Sequence, residues 1–481
     1  MYHISDLKRF NRCPRYYFLS RDNEIDNVQY LRSDESIIEL LAKHLHIEDY
    51  LKGSVGDKND IFFDNVNNYE WFLKTRFEID NFRIKIPIMH KCGNSFDLYF
   101  AYNNTQIKEL DLYYYRCNLE VLRKLGIEVN EIYVAYINPE YVFDDELNYD
   151  ELFYITNHYK GRRLIDLFDD EIADYKETIK HIEGTNLNSY VPKKNRYCHF
   201  RSICPYYYEC FKDEINLPVN SILTLVSSQN KEKMYESGIK YLKDANPELL
   251  EGNQIQYAQI MADRLGGLFV DKFNLKKFLN KLQGRPISFI DFEWDTYLVP
   301  KYNGMSPLDV LPFEYALYIL DENDELKHYT FVGNGDCRRD FVEALLKQIP
   351  PSGPIVAYNA LGAEVRRIRE LASYFPEYRI ELENIANRFV DLAMPFIEGI
   401  IYDVRIAGNF SLKRLVDVVS DLNYKNLSIN DGIEAVKKWR EIDLNNGEIN
   451  EEEVINNLIE YCSLDAYGLY LVYKWLIKQI W

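Results

Sequence analysis

The sequence predicts an α/β protein, because strand-like and helix-like segments alternate in two separate stretches of the chain. In the first stretch, an alternating segment at 83–100 precedes a segment with helical spacing at 118–126 and an apolar strand at 131–137. In the second, apolar strands at 287–293 and 355–358 precede long helical segments. The sequence contains no apolar run of about 18 residues, so it predicts no membrane span.

The chain is expected to form three regions. Its 481 residues exceed what one ordinary core accommodates, since roughly 150 residues per domain is typical. The pattern predicts an α/β region at 1–215, a helical linker at 216–280 and a second α/β region at 281–481. A cysteine-rich stretch closes the first region, and the linker has helical spacing without strand-like runs.

Composition excludes several classes of protein. Apolar residues make up 47% and charged residues 28%, which is typical of globular proteins and not of disordered or collagen-like chains. The formal net charge of -19 argues against a broad basic surface for nucleic acid. It does not exclude an enzyme that acts on nucleic acid, because bound cations reverse the local field of a carboxylate cluster.

The N-terminal sequence lacks the long apolar segment that signal peptides carry. We therefore expect a cytoplasmic protein that makes no contact with membranes. In a reducing compartment, the eight cysteines are expected to be free thiols, catalytic groups or metal ligands and not disulfides.

Two acidic residues stand close together near the end of the strongest predicted strand, 287–293. Asp291 and Glu293 are two positions apart, so their side chains point to the same face of the strand. Paired carboxylates at the end of a buried strand are costly unless a cation lies between them, and a divalent metal is the usual solution. The alternative is an acidic pair that merely ends a strand.

Further candidate residues fall in helical segments. Tyr461 and Asp465 are four positions apart and share one face of the last predicted helix, 453–480. Glu364 falls in the first turn of a helix that follows Asn359. Each feature alone has a plain alternative: a chance pair among 40 tyrosines, or a carboxylate that interacts with a helix dipole.

The order of these motifs resembles the DEDD superfamily of 3′–5′ exonucleases, and the Tyr-x-x-x-Asp motif resembles that of its DEDDy branch. The resemblance implies an RNase H-like mixed sheet flanked by helices and two bound Mg²⁺ or Mn²⁺ ions. It also implies that four carboxylates bind the ions and that one tyrosine orients the attacking water: Asp291, Glu293, Glu364 and Asp465 as ligands, and Tyr461 as the orienting group.

The third acidic position departs from the pattern of that superfamily. It is Glu364 here instead of Asp, and it follows Asn359 by five positions where four are common. Asn359 and Asp391 are expected to contact the ligand residues without binding the ions, or to cap nearby backbone groups. Asp391 is also a rival of Glu364 for the third ligand position.

Longer stretches resemble an uncharacterised bacterial family that joins a RecB-like nuclease module to an exonuclease module of this kind. The matching stretches are 289–293, 311–315, 364–372, 390–396 and 408–413. In the last stretch, Ser411 and Lys413 are candidates for contact with phosphates. A helix cap and a solvated lysine are the alternatives for these two residues.

Evenly spaced cysteines indicate a metal site in the first region. Cys198, Cys204 and Cys210 form a C-x5-C-x5-C pattern, and Cys13 is the candidate for a fourth ligand. The thiols are compatible with zinc or with an iron–sulfur cluster, and His199 is able to replace one of them.

One early and three late cysteines resemble the iron–sulfur nucleases related to RecB and to the CRISPR-associated adaptation nucleases. The resemblance implies a restriction-endonuclease-type α/β domain of the PD-(D/E)XK class with a structural [4Fe–4S] cluster, or Zn²⁺ as the alternative. Asp97 then matches the catalytic Asp. Glu109-Leu110-Asp111 falls where Glu-x-Lys is needed, so the lysine is missing. We therefore expect an inactive domain in which Asp97 and Glu109 remain from a degenerate site.

These patterns predict a metal-dependent 3′–5′ exonuclease that acts on single-stranded or 3′-ended DNA or RNA. They make no prediction about protein partners. Two other functions stay open: a nucleic-acid-binding or scaffold protein in which both nuclease folds are inactive, and a redox sensor built on the cysteines.

Overall fold

The computed structural model divides the chain into two units of mixed α/β structure. It describes residues 1–21, 36–170, 173–186, 190–198, 203–422, 424, 427–443 and 450–480. The first unit contains Met1–Ile215 together with Thr296–Asp309, and the second contains Asn216–Asp295 together with Val310–Trp481. The segment predicted as a helical linker, 216–280, therefore lies within the second unit.

The first unit is built on a seven-stranded sheet in the order β2-β3-β4-β5-β6-β7, with β1 pairing in parallel with β4. Its strands are β1 Tyr2–His3, β2 Leu51–Lys52, β3 Trp71–Ile79, β4 Phe82–Cys92, β5 Ser95–Tyr102, β6 Val129–Ile137, β7 Phe153–Thr156, β8 His158–Tyr159 and β9 Arg162–Arg163. Its helices are α1 Ile4–Arg12, α2 Pro14–Arg21, α3 Ile37–His44, α4 Asn59–Asn65, α5 Glu109–Lys124, α6 Tyr149–Leu152, α7 Leu164–Asp169, α8 Tyr175–Gly184 and α9 Tyr207–Cys210.

Two tight turns fold β3, β4 and β5 into an antiparallel meander. Asp80 and Asn81 take the positive φ values of 50° and 62° between β3 and β4, and Gly93 has a φ of 66° between β4 and β5. Such backbone angles suit two-residue hairpin turns. Helix α5 then crosses over to β6, which runs parallel to β5.

A short segment between the first two long strands of the second unit packs in the first unit. Leu298 and Val299 are buried in an apolar cluster with residues of α3 and β7. The backbone N–H of Gly304 donates to the carbonyl of Phe143 at 2.8 Å. The sequence predicts 296–309 as part of the C-terminal region, because no local pattern indicates that these apolar side chains complete the core of the first unit.

The second unit contains a five-stranded sheet in the order β13-β12-β11-β14-β15 and a small sheet of β10 and β16. Its strands are β10 Leu268–Val270, β11 Ile287–Thr296, β12 Val310–Leu320, β13 Leu326–Val332, β14 Ile355–Ala357, β15 Phe389–Asp391 and β16 Ile401–Asp403. Its helices are α10 Lys231–Glu236, α11 Gln254–Arg264, α12 Lys272–Leu279, α13 Arg338–Gln348, α14 Glu364–Tyr374, α15 Arg379–Asn387, α16 Met394–Ile397, α17 Leu412–Val419, α18 Gly432–Asp443 and α19 Glu451–Lys478.

Both faces of the five-stranded sheet are covered, which explains the nearly continuous apolar run of β11. Phe289 belongs to a cluster with residues of α17 and α19. Ile290 and Phe292 belong to a cluster on the other face with residues of α13, α14 and α15. Because side chains alternate along a strand, Asp291 and Glu293 lie on the same face as Phe289, toward α17 and α19.

Small residues let helix α19 approach this sheet closely. Ala316 of β12 packs against Cys462 and Ala466 of α19. On the side toward α17, a Cβ at Gly468 would lie only 2.7 Å from Cγ2 of Val416. This close packing brings α17 and α19 to the face that carries Asp291 and Glu293.

Within the described ranges, no helix combines the length and the apolar character needed to cross a membrane.

Candidate metal centre

Three carboxylates from distant segments of the second unit converge on one point. Asp291 and Glu293 project from β11, and Asp465 projects from α19. One ligand oxygen from each lies within 4.8 Å of the other two, a spacing that suits a shared metal ion. We call these residues the three-carboxylate group.

Burial makes the three-carboxylate group costly to ionise together. Desolvation, followed by the charge of Asp465, raises the pKa of Glu293 to about 8. Desolvation and the neighbouring carboxylates also raise the pKa of Asp291 well above its ordinary value. The pKa of Asp465 is raised mainly by desolvation, although contacts with Tyr424 and Lys413 partly offset the rise. A cation at this point would favour the charged forms of all three.

Glu364 lies beside the three-carboxylate group as the first residue of α14, as the sequence predicts. Its side chain is only 3% exposed, and its Oε2 has no hydrogen-bond partner among the described residues. Desolvation raises its pKa to about 8. Its oxygens do not belong to the group within 4.8 Å, but its charge contributes to the raised pKa values of Asp291 and Glu293.

Asp391 caps the backbone of the turn at Asn359, which precedes Glu364 in the chain. Oδ1 of Asp391 accepts hydrogen bonds from the backbone N–H groups of Asn359 and Ala393, each at 2.9 Å. Asn359 has a φ of 55°, so this bond holds a strained turn after β14. Asp391 is thus engaged in a capping interaction, and Glu364 is the nearer candidate for the third ligand position.

Tyr461 is buried between the three-carboxylate group and a lysine. Lys413 donates to the Tyr461 hydroxyl at 3.1 Å, and its Nζ lies 4.7 Å from the centre of the Tyr461 ring. Ser411, the other predicted phosphate contact, caps α17 by accepting a hydrogen bond from the N–H of Arg414 at 3.3 Å. Lys413 therefore contacts a residue beside the three-carboxylate group, whereas Ser411 caps a helix.

Tyr424 is a further residue beside the three-carboxylate group that no sequence motif predicts. Its hydroxyl donates to Oδ1 of Asp465 at 2.8 Å, and desolvation followed by the charge of Asp465 raises its pKa. No local motif indicates this role, because Tyr424 and Asp465 meet only after α17 and α19 have packed together.

Two other acidic residues, Glu314 of β12 and Asp295 of β11, can be singled out from the sequence pattern of their strands. Glu314 interrupts the apolar strand β12; it is 1% exposed, and both of its oxygens are without hydrogen-bond partners among the described residues. Asp295 continues the alternation of Asp291 and Glu293, and it forms a two-point ion pair with Arg440 of α18 at 2.6 and 2.7 Å. A charged residue inside an apolar run is the feature that would have singled out Glu314.

The four predicted cysteine ligands line one pocket of the first unit. Cys13 lies between α1 and α2, while Cys198, Cys204 and Cys210 come from the segment around α9. The backbone N–H of Cys204 donates to the carbonyl of Cys198 at 2.9 Å. The sulfurs do not form a group within 4.8 Å of one another. His199, the alternative ligand, lies outside the described residues.

Asp97 and Glu109, the two residues expected in a degenerate nuclease site, lie on different elements and contact different partners. Asp97 is buried on β5 and accepts a hydrogen bond from Nδ2 of Asn130 at 2.9 Å. Glu109 begins α5 instead of continuing a strand, and it forms an exposed ion pair with Lys160 at 3.0 Å. The apolar positions that follow Glu109 have helical spacing and are buried on one face of α5, which explains the difference.

A family model described as a domain of unknown function, DUF2779, matches residues 288–411. This stretch includes Asp291, Glu293 and Glu364 and ends before Tyr461 and Asp465. Comparisons with curated proteins and with solved structures give no match.

Proposed function

We propose that the second unit is a metal-dependent 3′–5′ exonuclease that hydrolyses phosphodiester bonds of DNA or RNA. The observation that carries this proposal is the convergence of Asp291, Glu293 and Asp465, with Glu364 and Tyr461 beside them. The 3′–5′ polarity and the choice of nucleic acid as substrate rest on the resemblance to DEDDy exonucleases.

The residues at the centre fit two Mg²⁺ or Mn²⁺ ions. All of the candidate ligand atoms are carboxylate oxygens, which hard divalent cations prefer. The buried Oε2 of Glu364 has no hydrogen-bond partner among the described residues, so it is available as a ligand. When bound, the ions would offset charge on the phosphate oxygens and lower the pKa of a water molecule.

The surrounding side chains are arranged to orient reactants. Lys413 donates a hydrogen bond to the hydroxyl oxygen of Tyr461. The hydroxyl proton of Tyr461 is therefore available to an acceptor on the side that faces the carboxylates. Tyr461 can therefore position a water or a phosphate oxygen. Tyr424 fixes the orientation of Asp465, and Lys413 adds a positive charge that attracts the substrate phosphate.

The topology of the second unit supports an RNase H-like fold. In local order its sheet reads third, second, first, fourth and fifth strand, with β12 and β13 antiparallel and β11, β14 and β15 parallel. The candidate ligands lie on the central strand β11 and on helices that pack beside it. With a net charge of -19, contact with single-stranded or 3′-ended nucleic acid is expected to be local to this centre.

In this proposal, the first unit is a RecB-like domain without nuclease activity, in which the four cysteines hold a structural [4Fe–4S] cluster. The preference for a [4Fe–4S] cluster over zinc rests on the resemblance to the iron–sulfur nucleases. The structure supports a shared site only in that the four cysteines line one pocket. Such a cluster would join the N-terminal helices to the segment around α9.

A second candidate function is a nucleic-acid-binding scaffold with no cleavage activity. The position of Glu364 favours it, because the Glu364 oxygens lie outside the group of Asp291, Glu293 and Asp465 within 4.8 Å. A centre with three ligands instead of four would bind one ion more readily than two.

Cleavage of end-labelled oligonucleotides separates these functions. Single-stranded DNA and RNA, labelled at the 5′ or the 3′ end, would be incubated with Mg²⁺, Mn²⁺ or a chelator. The proposal expects metal-dependent release of single nucleotides from the 3′ end and no cleavage by Asp291→Asn. Binding without cleavage would support the scaffold, and neither binding nor cleavage would overturn both functions.

A further inference from the structure

A second group of metal-ligating side chains lies on one hairpin of the first unit. His90 and Cys92 project from β4, and Asp97 projects from β5, where it is the register partner of His90. Cys92 Sγ lies 3.5 Å from His90 Nδ1 and 3.4 Å from Asp97 Oδ2. One ligand atom from each residue lies within 4.8 Å of the other two. We call these residues the hairpin group.

The hairpin geometry itself produces this convergence. His90 and Cys92 are two positions apart on one strand, so they share a face, and a cross-strand partner such as Asp97 lies on the same face. Gly93 takes a positive φ of 66° in the turn between β4 and β5. Because all three residues come from one hairpin, their spacing depends on few other contacts.

Neighbouring residues orient two of the three side chains. Asn130 of β6 donates to Oδ1 of Asp97 at 2.9 Å, which leaves Oδ2 toward Cys92. The ring of Trp71 stacks on His90, with ring centres 4.0 Å apart and planes inclined by 17°. Partners of this kind commonly hold the ligands of metal sites in place.

The contacts do not favour a cysteine nucleophile with a histidine base. In such an arrangement the carboxylate contacts the histidine and orients it toward the thiol. Here the Asp97 carboxylate contacts the thiol of Cys92 directly. Three groups that point at one another, with no chain of proton transfer among them, are typical of ligands around a common cation.

We propose that His90, Cys92 and Asp97 bind one divalent transition-metal ion, with zinc as the preferred ion. Sulfur, nitrogen and oxygen donors of these types suit Zn²⁺, whereas a thiolate does not suit Mg²⁺. No fourth His, Cys, Asp or Glu in the described part of the chain belongs to the group. The site therefore has three protein ligands, and its fourth position is left to water or a small ligand. Because Cys92 binds as the thiolate, its thiol proton passes to the solvent on binding.

The site is independent of the proposed exonuclease activity and uses a different type of ion. Both His90 and Cys92 retain partial exposure to solvent, so an ion has access to the group. Asp97, which the sequence predicts as part of a degenerate nuclease site, is then a zinc ligand.

Metal analysis of the full-length protein tests the proposal. Wild-type protein, His90→Ala and Cys92→Ser would be dialysed against Zn²⁺ and then analysed for bound zinc and iron. The proposal expects both variants to bind one zinc ion fewer than wild type, with the iron content unchanged. The difference is the same whether the four-cysteine pocket holds iron or zinc.

His158→Ala, an exposed histidine of the same unit, is the matched control and should bind as much zinc as wild type. Equal zinc contents in all four proteins would overturn the proposal.

A second measurement on the unmodified chain removes any dependence on how the variants fold. Cys92 would be alkylated with and without excess Zn²⁺, and the labelled peptide would be quantified by mass spectrometry. Binding should slow labelling of Cys92 by roughly tenfold or more, because the coordinated thiolate is no longer free to react. Mg²⁺ at the same concentration should not slow it. Equal labelling rates with and without Zn²⁺ would overturn the proposal.

Discussion

The second unit assembles the three-carboxylate group from a central strand and the last helix, whereas the first unit assembles the hairpin group from two adjacent strands. The first arrangement requires α19 to pack on the sheet before Asp465 reaches Asp291. The second requires only that β4 pair with β5 in the observed register. The donor types differ as well: oxygen alone in one group, and sulfur, nitrogen and oxygen in the other. The two groups are therefore expected to differ in ion preference and in sensitivity to distant substitutions.

The largest expected effect is the loss of cleavage in Asp465→Asn. The change removes one charge from the three-carboxylate group and should reduce turnover by about 10³-fold or more. Zinc binding at the hairpin group should not change. A matched control is Glu452→Gln, an exposed carboxylate on the same helix. Cleavage by Asp465→Asn at the wild-type rate would contradict the exonuclease proposal.

Tyr461→Phe should reduce cleavage less and leave metal binding intact. The variant keeps all of the carboxylates but loses the hydroxyl that contacts Lys413, so turnover should fall by about 10- to 100-fold. Calorimetric titration with Mn²⁺ measures the binding, and initial rates measure turnover. A loss of Mn²⁺ affinity equal to the loss of rate would instead assign a structural role to Tyr461.

Cys204→Ser should destabilise the first unit more than the second. If the four-cysteine pocket holds a structural cluster, this variant should lose iron and melt roughly 5 °C or more below wild type. Cys337→Ser, which changes a buried cysteine of the second unit, is the comparison variant. Unchanged iron content and an unchanged melting temperature in Cys204→Ser would refute a cluster at this pocket.

Stability without metal should depend on pH through the carboxylates of the second unit. The pKa of Glu293 is about 8 in the folded chain against an ordinary value of 4.5, so the folded state holds this proton more tightly than the unfolded state. The free energy of unfolding should therefore decrease as pH rises from about 4.5 through about 8. We expect the melting temperature in the presence of a chelator to fall by at least ~3 °C between pH 6 and pH 8.5. Mn²⁺ should remove most of this decrease, and a melting temperature that rises over the same interval would contradict the assignment.

Glu109→Gln should have the smallest effect. Glu109 is exposed at the start of α5 and forms a surface ion pair with Lys160. Surface substitutions of this kind rarely change stability by more than about 0.5 kcal/mol. Cleavage and zinc content should stay within about twofold of wild type. A marked loss of cleavage or of bound zinc would indicate that Glu109 belongs to a functional site.

Local patterns of the second unit were sufficient to predict which strands and helices carry its candidate site residues. The apolar run of β11 predicted a buried strand, and the spacing of Asp291 and Glu293 predicted their shared face. The start of α14 at Glu364 and the common helix of Tyr461 and Asp465 are also confirmed. These features depend on residues a few positions apart, for which strand and helix periods are reliable guides.

Contacts between distant segments could not be predicted in this way. Tyr424 reaches Asp465 only through the packing of α17 and α19, and no motif records that contact. At Glu109, the helical spacing of the apolar residues that follow is the local pattern that agrees with the start of α5. The hairpin group likewise has no motif of its own, because His90 and Asp97 become partners only in the register of the β4–β5 hairpin.

The segment 296–309 has a consequence for the order in which the molecule matures on the ribosome. Leu298 and Val299 complete the core around α3 and β7, so a nascent chain that ends at residue 215 still has an apolar opening there. The first unit can therefore complete its core only after β11, a strand of the second unit, has been translated. An excised N-terminal fragment should therefore be prone to aggregation unless this peptide is supplied in trans.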